Sequence, residues 1–473
     1  MRLASCLLLF CVASSAKENL VARAEEAFSV GFAEIDITPA LHPDKPVWIA
    51  GYGHNRRATG VHDPLMARAV VLKHGDAKIA LVSVDLIGLQ YPTVKQIRDQ
   101  LPEFRYVMVS STHNHEGPDT IGLWGQTPLT SGVDPEYLTL VVERVAEAIL
   151  QAEKVAAAAT VEYGAAEDES LLGDSRLPKV YDGVLRTLCF KRVSDGQRIG
   201  ALVQWNCHPE SMGSKNTLLT ADFPYATVAA LKERYECPVA YFTGAVGGLM
   251  APPDGRVKNA AGKLLSEGDF EYARAYGEEV AALAGRALDS AEPIVLFPIE
   301  VSARPIAVPL ENALYHAARS LGVLKREGRI WSGDFEDLGD PLAADDRNSE
   351  MAVETEVACL RLGELHIACI PGELYPELVY GQFQTPADPA ADYAEADLEP
   401  PVAGTLPGKK WLLFGLANDE IGYIIPKRQW DQLPPFAYGR KSSQYGEINS
   451  CGPEIAPLLM QALENRIKEL PRP

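Results

Sequence analysis

The chain predicts an α/β fold, and three observations carry that expectation. Strand-like and helix-like segments are interspersed along its whole length instead of collecting in separate halves. Several long segments repeat their apolar residues at three and four, the spacing of a helix with one buried face. Other segments read as hairpins whose second strand ends abruptly in a polar side chain.

The first hairpin, ARAVVLKHGDAKIALVSVD, is an apolar strand, a polar turn with glycine and a more apolar strand ending at Asp85. The run RYVMVSS, 105–111, then reads as a buried strand leading into STHNHEGPDT. Extended backbone sends residues two apart to the same face, so His113 and His115 are expected to point into one cleft at the strand's carboxyl end. Neutral imidazole is the commonest protein ligand for zinc, but a zinc site needs three or four donors, so others must come from elsewhere. A helix is expected over 135–157, with Pro135 in the first turn, where its missing N–H costs nothing. The second hairpin, LRTLCFKRVSDGQRIGALVQWNCH, ends at His208. Helices are expected over 224–235 and 268–288, followed by the third hairpin, EVACLRLGELHIACIPGE, ending at Glu373, and a last helix over 453–469. The stretches 332–350 and 385–410 are polar and aperiodic, and the second is long enough to act as a lid. One polar residue at a strand end marks only where the chain leaves the core. Several point to a site, because open α/β sheets build their sites at the carboxyl ends of strands. The intervening helices and loops are too irregular to indicate an internal duplication.

Bulk properties narrow the function. A net charge of −20 argues against nucleic-acid binding. Residues 1–16, MRLASCLLLFCVASSA, read as an export signal cut after Ala16, too short to span a membrane, so the mature protein is expected to be secreted or periplasmic. No later apolar run approaches a spanning segment. The six remaining cysteines lack CxxC spacing and read as small buried hydrophobes, with disulfides the lesser alternative.

The motifs as a set are specific. SSTHNHEGPDT is similar to the STHTHSGP motif of the neutral, non-lysosomal ceramidases, and other segments follow in that family's order: WIAGYGHNRRATGVHDPLMARAVVL, LVSVDLIGL, QWNCHPESMGSKNTLLTADF, IPGELYPEL and IGYIIPKRQW. This resemblance runs from about residue 28 to the C-terminus and implies one catalytic domain, 28–473, of mixed β-sheets flanked by helices. It implies a single zinc held by His113, His208, Glu373 and Tyr423, with Tyr438 and Tyr445 near enough to compete for the last place. His115 is then expected to face the metal without binding it, as an acid–base or oxyanion group, and Arg176 to face the active site. Asp85 and Asp222 are candidates to orient an imidazole.

The chain also departs from the family. Where the ceramidases carry a GDVSPN-like segment with a hydroxyl, it reads GAVGGLMAPP, with Met250 or a neighbour at that position. Glu210 stands where the family tends to have threonine, and the family's C-terminal β-sandwich domain is expected to be absent. The resemblance therefore implies a secreted zinc-dependent hydrolase of linear amides, ceramidase-like and tied to lipid or sphingolipid metabolism. Zinc-activated water would release a fatty acid and an amine from an N-acyl substrate held between the loops at 51–62 and 385–410. Peripheral contact with membrane lipid is compatible with this reading. A zinc hydrolase of a non-lipid amide or ester and a non-catalytic metal-binding surface protein remain as alternatives. A metallo-β-lactamase-like enzyme does not, because Glu116, Gly117, Pro118 and Asp119 break the HxHxDH spacing.

Overall fold

The computed structural model describes residues 28–343, 346 and 349–471, so the expected export signal lies outside the described residues. The architecture is α/β, and its strands follow one succession three times. In the first unit Ser29–Asp36, Met66–His74 and Ala77–Val84 are antiparallel neighbours, and Tyr106–Ser111 lies parallel to the third strand. Ala157–Glu167, Val184–Arg192, Arg198–Trp205 and Val239–Thr243 repeat that order. Ile299–Pro309, Met351–Leu362, Leu365–Cys369 and Trp411–Phe414 repeat it again. The first two units join through their first strands, Ser29 opposite Ala158, into one sheet, and the third forms a second sheet. The three hairpins read from the sequence are the middle strands of these units, but the full repeat did not show because the connections between equivalent strands differ so much in length.

Helices follow the third and fourth strands of each unit. The first unit has Tyr91–Asp99 and Pro135–Lys154, and the second has Asp222–Tyr235 and Phe270–Asp289. The third has the single turns Glu377–Tyr380 and Val402–Thr405, then Ile455–Glu469. The two longest of the described helices begin where an aspartate accepts from the backbone two residues on, Asp134 from Glu136 and Asp269 from Glu271. Each presses on the first strand of its own unit at a glycine. A Cβ on Gly31 would come within 1.9 Å of the Ala152 carbonyl, and one on Gly164 within 2.0 Å of the Ala287 carbonyl.

Strand alternation sorts the core into layers. Val70 and Leu72 face the second sheet's Leu360, Leu362 and Leu365, whereas Ala69 and Val71 face Val145 and Ile149 of a covering helix. Val228 and Leu283 cover the other half of the first sheet, and Leu459 and Leu463 cover the second. The layers thus run helix, sheet, sheet, helix, with strands buried on both faces, as their near-continuous apolar runs require. All six cysteines between Cys189 and Cys451 are buried free thiols. Among the described residues no helix is long and apolar enough to cross a membrane.

The carboxyl ends of the three fourth strands meet. Thr243 Oγ1 donates to the Thr112 carbonyl at 2.9 Å, Gly415 N to the Thr243 carbonyl at 3.0 Å, and Ser111 N to the Leu416 carbonyl at 3.3 Å. That closed ring of contacts gathers the segments that follow the strands into one place.

Candidate metal centre

Each unit sends side chains to this meeting point. The first supplies His113 and His115, though not by strand alternation: the strand stops at Ser111, and His113 takes a left-handed φ of 65°. The two rings converge because the chain turns there. His113 is held in that turn by Nδ1, which donates to the Ile87 carbonyl at 2.7 Å. In the second unit His208 lies three residues beyond the strand end at Trp205, and its Nδ1 donates to the Met250 carbonyl at 2.8 Å. In the third unit Glu373 opens a short strand, Glu373–Leu374, parallel to Tyr423–Ile424, with Glu373 opposite Tyr423.

The geometry suits a cation. His113 Nε2 lies 3.3 Å and His208 Nε2 2.9 Å from the same oxygen, Oε2 of Glu373. A carbonyl only accepts, so both Nδ1 atoms carry hydrogen, and Nε2 of each ring is the atom turned inward, the one a metal would bind in place of a proton. The ring centroids of His113, His115 and His208 are 4.8 to 5.6 Å apart, and their nitrogens are grouped closely enough to hold a metal ion. Both ring nitrogens of His115 are buried without a partner, an arrangement that costs free energy unless a ligand or substrate completes it. The donor set of imidazoles and a carboxylate fits zinc, and Tyr423, in the cavity wall beside Glu373, can add a phenol oxygen.

The electrostatics agree. Burial would lower His113, but the Glu373 carboxylate outweighs it and raises the imidazole to about 9. Burial would raise Glu373, but His113 and His208 hold it well below the usual carboxylate range. His115 is pushed down by burial and then by its two neighbouring imidazoles. Its Nδ1 lies 3.7 Å from Glu210 Oε2, and the Tyr52 ring stands edge-on to it at 5.2 Å.

Other residues singled out in the sequence lie apart from this cluster. Arg176 is buried in a bidentate pair with Glu447, at 2.7 and 2.8 Å, and donates to the Tyr445 and Gln429 carbonyls. It therefore holds the loop that carries Tyr445, a wall residue, instead of lining the cavity itself. Asp85 is occupied by Arg68 at 2.8 Å, and Asp222 Oδ1 accepts from the next backbone N–H, Phe223 N. Neither orients an imidazole. That work falls to the carbonyls of Ile87 and Met250, which have no side-chain signature for a sequence to show. The Met250 side chain itself packs in the core beneath the helices Asp222–Tyr235 and Phe270–Asp289.

A cavity of about 100 Å³ opens from the cluster. Its apolar wall includes Ile121, Trp124, Leu310, Leu324, Met351 and Val353. Gly51 borders it as expected, but the 385–410 loop does not: Ala387, Asp388 and Ala391 line a separate small pocket with Arg428 and Tyr438. The segment 310–324, bearing the helix Ala313–Ser320, takes the wall position expected of that loop. Sequence reasoning also missed Glu420, whose Oε1 accepts from Gly422 N at 2.8 Å while buried Oε2 has no partner. The acidic pair Asp419–Glu420 just before Tyr423 was the available signal.

Residues 28–241 match the family model described as neutral/alkaline non-lysosomal ceramidase, N-terminal. No relative is found among curated proteins. The crystal structure of neutral ceramidase from Pseudomonas aeruginosa is 17% identical and covers 93% of this chain and 75% of that one, with a TM-score of 0.68. A ceramidase complexed with C2 is likewise 17% identical, covering 93% and 76%, with a TM-score of 0.66. Motifs and architecture thus agree: through residues 28–241 the chain matches the neutral/alkaline non-lysosomal ceramidase family, and over 93% of its length it carries the fold of a neutral ceramidase.

Proposed function

We propose that the protein is an exported zinc hydrolase that cleaves a linear amide, an N-acyl lipid or a related N-acyl compound. The observation that carries this reading is the convergence of His113 and His208 on one oxygen of Glu373 beside a largely apolar cavity. His113, His208 and Glu373 would hold the metal, with Tyr423 as a fourth donor. When bound, zinc lowers the pKa of water and polarises a carbonyl, which is the chemistry amide hydrolysis needs.

The chain's own residues do the rest. Carbonyls of Ile87 and Met250 fix the two ligating rings in one tautomer. His115, with free ring nitrogens, stands where it can donate to the developing oxyanion or carry a proton to the leaving nitrogen. The apolar wall takes the acyl chain and excludes bulk water. Water oxygen adds to the carbonyl carbon, the C–N bond breaks, the nitrogen takes a proton, and the products are an acid and an amine. The loop Gly247–Met250 offers no hydroxyl, so no acyl–serine forms there.

The test is elemental analysis of the purified protein followed by a panel of N-acyl lipids and small N-acyl amines. About one zinc per chain and turnover of amides with apolar acyl groups are expected. A metal-loaded protein that cleaves nothing on the panel would overturn the hydrolase reading.

A further inference from the structure

Two arginines face the cavity, and they differ in one respect. Arg326 is neutralised by Asp419, whose oxygens it meets at 2.6 and 2.5 Å. Arg319, in the last turn of the helix Ala313–Ser320, makes no ion pair among the described residues. Its Nε donates to the Arg326 carbonyl at 3.0 Å and its Nη2 to the Leu342 carbonyl at 3.4 Å. Those contacts fix the plane of the guanidinium and leave Nη1 with no partner among the described residues. The surrounding wall is apolar, with Leu324, Met351 and Val353. Arg361 and Arg428 likewise bond only carbonyls, but Arg319 is the one of these that borders the cavity. A guanidinium already held in place loses little freedom on pairing with an oxyanion.

We propose that the cavity takes an amphiphilic anion: an amide whose apolar chain carries a carboxylate that pairs with Arg319 while the amide lies at the His113–His208–Glu373 cluster. The proposal deepens the hydrolase reading and rests on it for the position of the scissile bond. It accounts for an arginine at the apolar part of the wall, by Leu324, Met351 and Val353, that a purely hydrocarbon chain would leave unpaired.

The experiment uses the metal-loaded full chain and amides of matched length that differ only in whether the buried chain ends in methyl or carboxylate. Binding is measured by calorimetry and turnover by product release. The carboxylate series should bind and react better, and Arg319→Gln should weaken it roughly 10- to 100-fold, the size of a lost charge-assisted hydrogen bond, while sparing the methyl series. Arg319→Lys should keep part of the preference. Preference for methyl ends, or equal loss in both series, overturns the inference. Carboxylate binding that depends on Arg319 without turnover of either series would sink the hydrolase reading and leave the anion site standing.

Discussion

His113 and His208 direct their Nε2 atoms at a single oxygen of Glu373, from 3.3 and 2.9 Å, although the three residues come from three different strand units. Without a metal these contacts are hydrogen-bonded ion pairs, and a cation held by the same atoms would take the place of a proton. Replacing His113, His208 or Glu373 with alanine should therefore remove the metal. Replacing His115 should keep it and cut turnover roughly 100-fold or more, because His115 supplies acid–base or oxyanion help. Elemental analysis beside steady-state rates checks both statements, and metal loss in the His115 variant would show that it is a ligand.

Metal uptake should release about one proton per chain near pH 7.5. His113 in the metal-free protein is raised from 6.5 to about 9, so it is protonated there, and a metal takes that proton's place. The folded-state pKa is the higher one, so the His113–Glu373 pair stabilises the metal-free fold fully below about pH 6.5. That contribution is lost as pH rises through about 9. Calorimetry in buffers of different ionisation enthalpy counts the proton. Melting curves should show the metal-free protein weakening between pH 7 and 10, with the metal-loaded protein spared this loss.

The elements that sequence made legible are those governed by local pattern. Asp134 and Pro135 start a helix that the apolar spacing carries to Lys154, and the hairpins ending near Asp85, His208 and Glu373 follow alternation and turn chemistry. The HxH pair was visible as a motif, but its geometry was not: the left-handed φ of His113 depends on a contact with Ile87, supplied by a neighbouring strand end. The partners of the imidazoles are carbonyls, which any residue provides. The helix Ala313–Ser320 escaped notice because it has no buried residue, yet it stands in the cavity wall and carries Arg319. Arg176 looked like a site residue and is instead spent on Glu447.

Breaking that Arg176–Glu447 pair should be costly in stability first. Both side chains are buried, so Arg176→Met leaves an uncompensated carboxylate and should destabilise the protein by about 3–5 kcal/mol. Turnover at low temperature should fall through a raised KM, since the loop carrying Tyr445 is released while the metal cluster is untouched. Denaturant melts with metal analysis test this, and a stable variant with unchanged KM but reduced kcat would point to direct participation in the chemistry.

Gly51 should prove as sensitive as a catalytic residue without being one. Its φ is +97°, and a Cβ there would lie 2.4 to 2.7 Å from atoms of the His115 side chain. Gly51→Ala should displace that ring and lower kcat on the order of 100-fold, the cost of a misplaced catalytic group, with metal content unchanged. Full activity in the alanine variant would show that the position of His115 does not limit the reaction.

Met250 separates the direct attack of water from a covalent route. Its carbonyl holds His208 while its side chain is fully buried, so Met250→Ala should cost about 2–5 kcal/mol of stability through a cavity and still retain the metal, because the contact to His208 is made by backbone. A hydroxyl is not needed there if water attacks, so Met250→Ser should gain no acyl adduct and no large increase in rate. Hydroxylamine trapping followed by mass spectrometry distinguishes the routes in the unmodified protein. An acyl adduct on any side chain during turnover would defeat direct attack, whereas clean release of acid and amine, with no trapped intermediate, is the expected result.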